Sequence, residues 1–206
     1  MELSLPDFDY ERGQVGIETL VVFIAMILVA AIAATVLINT TGFLQNKASA
    51  TSQDSAQQVS NQVVVISGVG DVHNNSSGEK VVNQTELTVM QSPGADSIDL
   101  GGSTIKWIGP HGAQTLTYAD NASAADAEFS VSAIRDEDGS LPVLNEKTDR
   151  MKLNIALDKN ADALKPLQAG EDATIQIVTQ SGSQYTYVAS TPQTLSSQSD
   201  GGAVSL

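Results

Sequence analysis

The most distinctive pattern in the chain is an apolar segment at residues 20–38, which contains no charged side chain and is interrupted only by Thr35. As a helix, this segment is about 28 Å long, close to the thickness of the hydrocarbon core of a bilayer. Residues 14–62 around it contain no proline, and their only glycines are Gly16 and Gly42. The pattern predicts one long helix over residues 14–62, apolar on every face in its first half and amphipathic in its second half. A helix that is apolar all round must be buried in lipid or among other helices.

The spacing of apolar residues changes at residue 63, where segments that are β-branched or alternate between apolar and polar residues replace the helical pattern. Clusters rich in glycine, proline and aspartate separate them, and Gly68 and Gly70 are expected to end the first strand. The pattern predicts seven or eight short strands, packed over residues 63–206 as an antiparallel, immunoglobulin-like β-sandwich head. The fold class is therefore α+β. The clearest alternating segments are residues 63–67, 85–89, 104–108, 128–131, 151–157, 174–177 and 185–188.

Charge and cysteine content limit the possible partners. The formal net charge is −14, from 24 acidic and 10 basic side chains. So acidic a protein repels the phosphates of nucleic acid, and we expect no nucleic-acid partner. The chain has no cysteine, so disulfides and thiolate metal sites do not occur.

The predicted head contains no recognisable catalytic motif. His73 and His111 lie in predicted loops, without a neighbour in sequence that would orient an imidazole. The acidic stretch 136–139 does not fit an EF-hand, because Ile134 and Asn145 occupy positions where that loop needs carboxylates. A turn edged by solvated charges is the favoured interpretation, and a looser calcium site in the head stays open. We expect no enzymatic activity and no cofactor.

A specific motif precedes the apolar segment. It reads Arg12-Gly13-Gln14-Val15-Gly16-Ile17-Glu18 and continues through Thr19-Leu20-Val21-Val22-Phe23-Ile24-Ala25-Met26. This order of residues closely resembles the archaeal flagellins, or archaellins, and their haloarchaeal members in particular. The resemblance covers about residues 11–65, whereas the head is similar to the family only in size and β character. It implies a structural subunit of the archaellum filament, which rotates for swimming motility.

The resemblance also implies processing and gives roles to single residues. A prepilin-type signal peptidase would remove a leader, residues 1–13, at the Gly13–Gln14 bond, with Arg12 as the basic residue of the motif. Glu18 would become the fifth residue of the mature chain. In related type IV pilins the equivalent glutamate is thought to meet the terminal amine of a neighbour; a simple carboxylate at a helix start is the alternative. The leader departs from the basic family pattern, with four acidic side chains and one basic.

The resemblance also implies that the precursor of the subunit is located in the cytoplasmic membrane. Before cleavage, the apolar helix would hold the precursor in the membrane with the head outside. After cleavage, helices of this and other archaellins would pack as the core of an extracellular filament at the cell surface, assembled on the archaellum platform. Small residues at 30, 31, 33 and 34 favour close helix packing. The alternatives are a type IV-like adhesion pilin and a single-pass surface receptor.

Five Asn-Xaa-Ser/Thr sequons occur, at Asn39, Asn74, Asn75, Asn83 and Asn121. Because archaellins are commonly N-glycosylated, the resemblance predicts a glycoprotein with glycans on the head. Asn39 lies in the predicted helix, where a glycan would block packing, and is expected to stay unmodified. The candidates are therefore Asn83, Asn121 and either Asn74 or Asn75, since these two share one loop.

Overall fold

A computed structural model of the chain describes residues 10–124, 126–158, 161 and 163–206. Residues 1–9 of the predicted leader lie outside the described residues. The chain divides into two compact units, Met1–Ser52 and Gln53–Leu206. The first unit contains most of a single helix, and the second contains the end of this helix and all the strands.

The helix α1 (Tyr10–Ser60) is continuous. It runs through Gly16 and Gly42 without a break and ends two residues before the predicted end at residue 62. The described residues before Gln14 are also helical, so the predicted cleavage bond lies within regular helix. The prediction of one long N-terminal helix is confirmed.

Polar contacts within the second unit fix the C-terminal end of α1. The side-chain Oδ1 of Asn61 accepts a hydrogen bond of 2.9 Å from the main-chain N–H of Asp96. The carbonyl of Gln62 accepts another of 2.9 Å from Ser92. Because Asn61 is only 8% exposed, the first of these bonds gives its buried side-chain oxygen a hydrogen-bond partner.

Within the described residues, eleven strands follow the helix, which is more than the seven or eight predicted. They pair as one nine-stranded sheet in the order β10-β9-β4-β5-β6-β8-β2-β1-β11 and a two-stranded sheet of β3 and β7. Their bounds are β1 (Val63–Asn74), β2 (Lys80–Gln91), β3 (Ile98–Asp99), β4 (Thr104–Gly109), β5 (Gly112–Tyr118), β6 (Glu128–Arg135), β7 (Val143–Leu144), β8 (Arg150–Ala156), β9 (Asp172–Val178), β10 (Gln184–Ser190) and β11 (Gly202–Ser205).

The large sheet consists of two antiparallel halves, β10-β9-β4-β5 and β6-β8-β2-β1-β11. A short parallel pairing of β5 with β6, at Thr117 with Glu128 and Tyr118 with Phe129, joins them. Apolar side chains from both halves form one core, in which Trp107 and Leu153 are fully buried. The α+β class and the mostly antiparallel head are confirmed, and the immunoglobulin-like arrangement stays a prediction.

Alternation in the sequence identifies the main strands correctly. All seven predicted segments coincide with strands, with only Leu157 lying beyond the end of β8. On β8, Met151, Leu153 and Ile155 are buried while the residues between them are partly exposed. Among the aromatic residues of the head, Trp107 and Phe129 are almost completely buried. Three tyrosines, at 118, 185 and 187, pack against the core as partly buried residues.

Two expectations about the first strand are wrong. Gly68 and Gly70 do not end β1, which continues to Asn74, and His73 and Asn74 lie on this strand instead of in a loop. At both glycines the missing side chain leaves room for a neighbour: Tyr187 beside Gly68, and Val82 beside Gly70. The glycines are therefore sites of close packing within a strand.

Candidate functional site

The first half of α1 presents apolar side chains on every face. Their exposed fractions range from 48% at Ile24 to 70% at Ile38. Complete burial of one large apolar side chain is worth about 1.5–3 kcal/mol, so this surface gains a large free energy when it is covered. By length and composition, α1 can cross a membrane. The exposed side chains are Ile17, Leu20, Val21, Val22, Phe23, Ile24, Met26, Ile27, Leu28, Val29, Ile32, Val36, Leu37, Ile38, Phe43 and Leu44.

Threonine hydroxyls within this apolar surface are satisfied by the helix itself. Each donates a hydrogen bond to a main-chain carbonyl four residues earlier: Thr35 to Ala31 at 2.9 Å, Thr40 to Val36 at 2.8 Å and Thr41 to Leu37 at 2.8 Å. Thr19 donates to the carbonyl of Gly16 at 3.0 Å. An unpaired hydroxyl in apolar surroundings costs about 1–3 kcal/mol, so these bonds allow the helix to enter lipid or a helical bundle.

Charged residues mark the two ends of the apolar surface. Glu18 is exposed at its N-terminal end, and the next charge along the chain is Lys47. The Lys47 Nζ atom lies 5.9 Å from the ring centre of Phe43, one helical turn earlier, in a cation–π contact. The uncharged length between them is about 43 Å. The i, i+4 spacing of Phe43 and Lys47 could have indicated this contact in the sequence.

The predicted cleavage residues lie on the same helix as Glu18. The main chain of Arg12, Gly13 and Gln14 is helical, and their side chains lie outside the described residues. Glu18 follows the predicted new N-terminus at Gln14 by about one turn. After the predicted cleavage, a carboxylate there would interact favourably with the positive end of the helix dipole, by about 0.3–1 kcal/mol.

The four sequons predicted as glycosylation sites differ in accessibility. Asn74 and Asn121 are exposed, whereas Asn75 and Asn83 are half-buried. The Asn75 side chain holds the β1–β2 turn: its Oδ1 accepts from the N–H of Ser77 at 2.8 Å and of Glu79 at 3.0 Å. Its Nδ2, the atom that would carry a glycan, donates to the carboxylate of Glu79 at 3.3 Å.

The sequon at Asn83 lies on β2 in the interior of the large sheet. Its hydroxyl residue, Thr85, is 0% exposed. The Oδ1 of Asn83 is itself buried. A modifying enzyme therefore cannot reach this sequon in the folded head, whereas the turn containing Asn121, between β5 and β6, is open.

The acidic stretch 136–139 forms a turn that its own side chains hold. Asp136 Oδ1 accepts from the N–H of Gly139 at 2.9 Å and of Ser140 at 3.1 Å. Asp138 Oδ2 accepts from Asn145 Nδ2 at 2.6 Å, and this bond lowers the pKa of Asp138. The described residues contain no cluster of three histidine, aspartate or glutamate side chains arranged to hold a metal ion.

The two histidines lie in different parts of the head. His73 Nδ1 is 3.4 Å from a carboxylate oxygen of Asp200, and both side chains are about half exposed. His111 is exposed in the turn between β4 and β5. Within the described part of the chain, neither histidine forms part of a catalytic arrangement with a nucleophile.

Known proteins are similar to this chain over most of its length. The family model for archaeal-type flagellin matches residues 13–189. Flagellin B2 of Halobacterium salinarum is 49% identical over 186 residues, which cover 90% of this chain and 91% of that protein. Flagellin A1 of Haloferax volcanii is 36% identical over 207 residues, covering 95% of this chain and 97% of that protein.

Solved structures agree on the fold. The archaeal flagellum of Methanospirillum hungatei matches with a TM-score of 0.67 at 19% identity, covering 92% of this chain and 98% of that one. A crystal structure of an archaeal flagellin from Methanocaldococcus jannaschii matches with a TM-score of 0.55 at 20% identity, covering 70% of this chain and 95% of that one. On the family match and on the identity to haloarchaeal flagellins, this chain belongs to the archaeal-type flagellins.

Proposed function

We propose that this chain is a structural subunit of the archaeal flagellum, which polymerises through α1 into the filament that cells rotate for swimming. The observation that carries this proposal is the apolar surface of α1, exposed on every face between Ile17 and Leu44. Neighbouring copies of the helix would cover this surface in a filament core. Membership of the archaeal-type flagellin family favours this function over that of an adhesion pilin.

The subunit acts outside the cell and catalyses no reaction. The driving energy for rotation comes from elsewhere in the machine. Other copies of the chain, and other archaellins with similar helices, are its partners in the filament. The archaellum assembly platform is the proposed site at which the subunit joins.

Before assembly, the precursor resides in the cytoplasmic membrane with α1 in the bilayer. The internal hydrogen bonds of Thr35, Thr40 and Thr41 support this stage, because they leave no free hydroxyl donor on these side chains. A prepilin-type peptidase then cuts between Gly13 and Gln14. Cleavage places Glu18 in the second turn of a new helix start, where a carboxylate is stabilised and can meet the amine of a neighbour.

N-glycans on the head are a further part of the proposal. The exposed positions of Asn74 and Asn121 support modification there. The bonded side chain of Asn75 and the buried hydroxyl of Thr85, in the sequon of Asn83, argue against these two sites.

The experiment that tests the function is mass spectrometry of the N-terminal peptide from filaments sheared off the cell surface. A peptide that begins at Gln14, or its pyroglutamate form, would support processing and assembly. Deletion of the gene should then abolish swimming while surface adhesion is retained. An uncleaved N-terminus found only in membranes would contradict the proposal, and loss of adhesion with normal swimming would favour a pilin.

A further inference from the structure

One outer surface of the head is almost free of charge. It consists of the outward-facing residues of β10, β9, β4 and β5, whose side chains alternate with buried core residues such as Ile105, Trp107 and Ile175. We call it the threonine face, since threonine is its commonest residue. Its members are Thr104, Lys106, Ile108, Ala113, Thr115, Thr117, Asp172, Thr174, Gln176, Val178, Gln184, Thr186, Val188 and Ser190, of which only Lys106 and Asp172 are charged.

Strand register arranges these residues in rows across the four strands. The central row contains Thr186, Gln176, Lys106 and Thr115, which are direct cross-strand partners. The next row contains Val188 and Ile108, which are 56% and 42% exposed. Four strands at about 4.8 Å spacing make a surface about 19 Å wide.

Carboxylates are nearly absent from this half of the sheet. Asp172, at the start of β9, is the only acidic residue on the four strands, and it accepts a hydrogen bond of 2.5 Å from Ser190. The other half of the sheet presents charged side chains outward, among them Glu86, which pairs with Lys152 at 2.8 Å. In a chain of net charge −14, the threonine face is therefore a surface on which another acidic molecule can lie without direct repulsion.

Lys106 lies at the centre of this face. It is exposed and forms no ion pair within the described part of the chain. Acidic side chains of the head lie mainly in exposed loops, for example Glu79, Asp126 and Glu146. A second copy of the chain thus offers carboxylates that complement Lys106, and this arrangement selects a partner through charge.

We propose that the threonine face is a contact surface between heads, and that its occupant is an acidic loop region of a second copy of this chain. The contact is heterologous, because a face on one copy meets different residues on the next, as an open helical assembly requires. A face of this size supplies only part of a standard interface of about 800 Å² per partner, so helix contacts supply the rest. The inference rests on the proposed filament function.

The absence of native cysteine permits a direct test on full-length protein in cells. A Thr186→Cys variant places one thiol on the threonine face, and a Thr88→Cys variant on β2 places one on the outer face of the other half. Each is labelled with a maleimide in purified filaments and again after dissociation in detergent. We expect filament labelling of the Thr186→Cys variant to fall at least about tenfold, as for a group in an interface core, and that of the control to change little.

The other outcomes overturn the inference in recognisable ways. Full labelling of the Thr186→Cys variant in intact filaments, or equal protection of both variants, would show that this face is not a specific contact. Protection on cells that is lost in purified filaments would identify an occupant other than a second copy. In each case filaments are present, so the proposed function stands; failure of the wild-type chain to form filaments would instead contradict the function itself.

Charge reversal provides an independent measurement. In a Lys106→Glu variant the face would repel the acidic loops, and we expect fewer or shorter filaments, partly restored at high salt because salt screens the repulsion. Lys165→Glu makes the same charge change at another exposed lysine and should assemble normally. Unfolding followed through Trp107 fluorescence in detergent separates assembly from folding. Wild-type filament yield from a folded Lys106→Glu variant would overturn the inference.

Discussion

The ring of Tyr187 on β10 lies directly against Gly68 on β1, so that a Cβ atom at position 68 would be 2.5 Å from the tyrosine hydroxyl. The same hydroxyl donates a hydrogen bond of 2.7 Å to the carbonyl of Leu206, just after β11. β10 is one edge of the nine-stranded sheet and β11 is the other. This one side chain therefore connects the two edges and closes the head around its core.

Gly68→Ala should destabilise the head by about 1–3 kcal/mol, because the added methyl group requires the tyrosine ring to move in a packed environment. The measurement is denaturant unfolding of the full chain in detergent, followed by the fluorescence of Trp107. This residue is the only tryptophan and is completely buried, so its signal reports on the head. Ser67→Ala, at the exposed neighbouring residue, is the control; an unchanged midpoint for Gly68→Ala would contradict the packing argument.

The sequence predicted the helix and seven strands well, because each has a strong local period. It could not predict that β1 continues through Gly68, since the reason is a tyrosine more than a hundred residues later in the chain. The strand β5 was also missed, because Leu116 is its only buried residue and no alternation results. Local patterns identify elements with one buried face, and distant contacts decide where irregular elements run.

Tyr118 should make the head sensitive to alkaline pH. Its hydroxyl donates to Asp120, and this bond, together with burial and the nearby carboxylates, raises the pKa of Tyr118 to about 12 from its ordinary value of 10.0. The stabilisation is complete below pH 10, where the phenol is protonated in both states, and is lost as the pH rises toward 12.

The check is the Trp107 unfolding midpoint as a function of pH from 8 to 12 in wild type and Tyr118→Phe. We expect the wild-type midpoint to fall between pH 10 and 12, with a smaller fall in the variant. The two curves should be parallel below pH 9. Identical slopes above pH 10 would show that Tyr118 does not contribute.

Thr35→Asp should block membrane insertion or assembly. The native hydroxyl is satisfied by Ala31, whereas a carboxylate at the centre of the apolar surface costs about 2.5–3.5 kcal/mol in a bilayer. Thr35→Val should be tolerated, since the hydroxyl bonds to a carbonyl of its own helix. Fractionation of cells into membrane and sheared filament measures the effect, with Thr51→Asp, in the polar end of α1, as the control. A normal yield of filaments from Thr35→Asp would show that water reaches position 35 in the assembled filament.

Glu18→Gln separates a role in assembly from a simple helix-start effect. If the carboxylate meets the amine of a neighbour, the variant should be cleaved normally and give markedly fewer filaments. If it interacts only with the helix dipole, worth about 0.3–1 kcal/mol, the filament yield should stay near that of wild type. Asp54→Asn removes a carboxylate from the far end of the same helix and serves as the control. Filament mass per cell, measured after shearing, distinguishes the two outcomes.

Whether a sequon carries a glycan should depend on how exposed it is in the folded head, and not on the tripeptide alone. Asn74, Asn75, Asn83 and Asn121 all satisfy the same sequon, and a three-residue motif contains no information about burial. The structure separates them, through the turn contacts of Asn75 and the buried hydroxyl of Thr85 beside Asn83. Sites reached by the modifying enzyme on a folded head must be open, so we expect glycans on Asn74 and Asn121.

Intact mass spectrometry of filaments from four single Asn→Gln variants tests this expectation. The variants at Asn74 and Asn121 should each lose the mass of one glycan, and those at Asn75 and Asn83 should lose none. Asn75→Gln should also lower the unfolding midpoint, since the turn loses hydrogen bonds worth about 0.5–1.5 kcal/mol each. A glycan found on Asn83 would mean that modification precedes folding of β2, because the exposed side chain exists only in the unfolded strand.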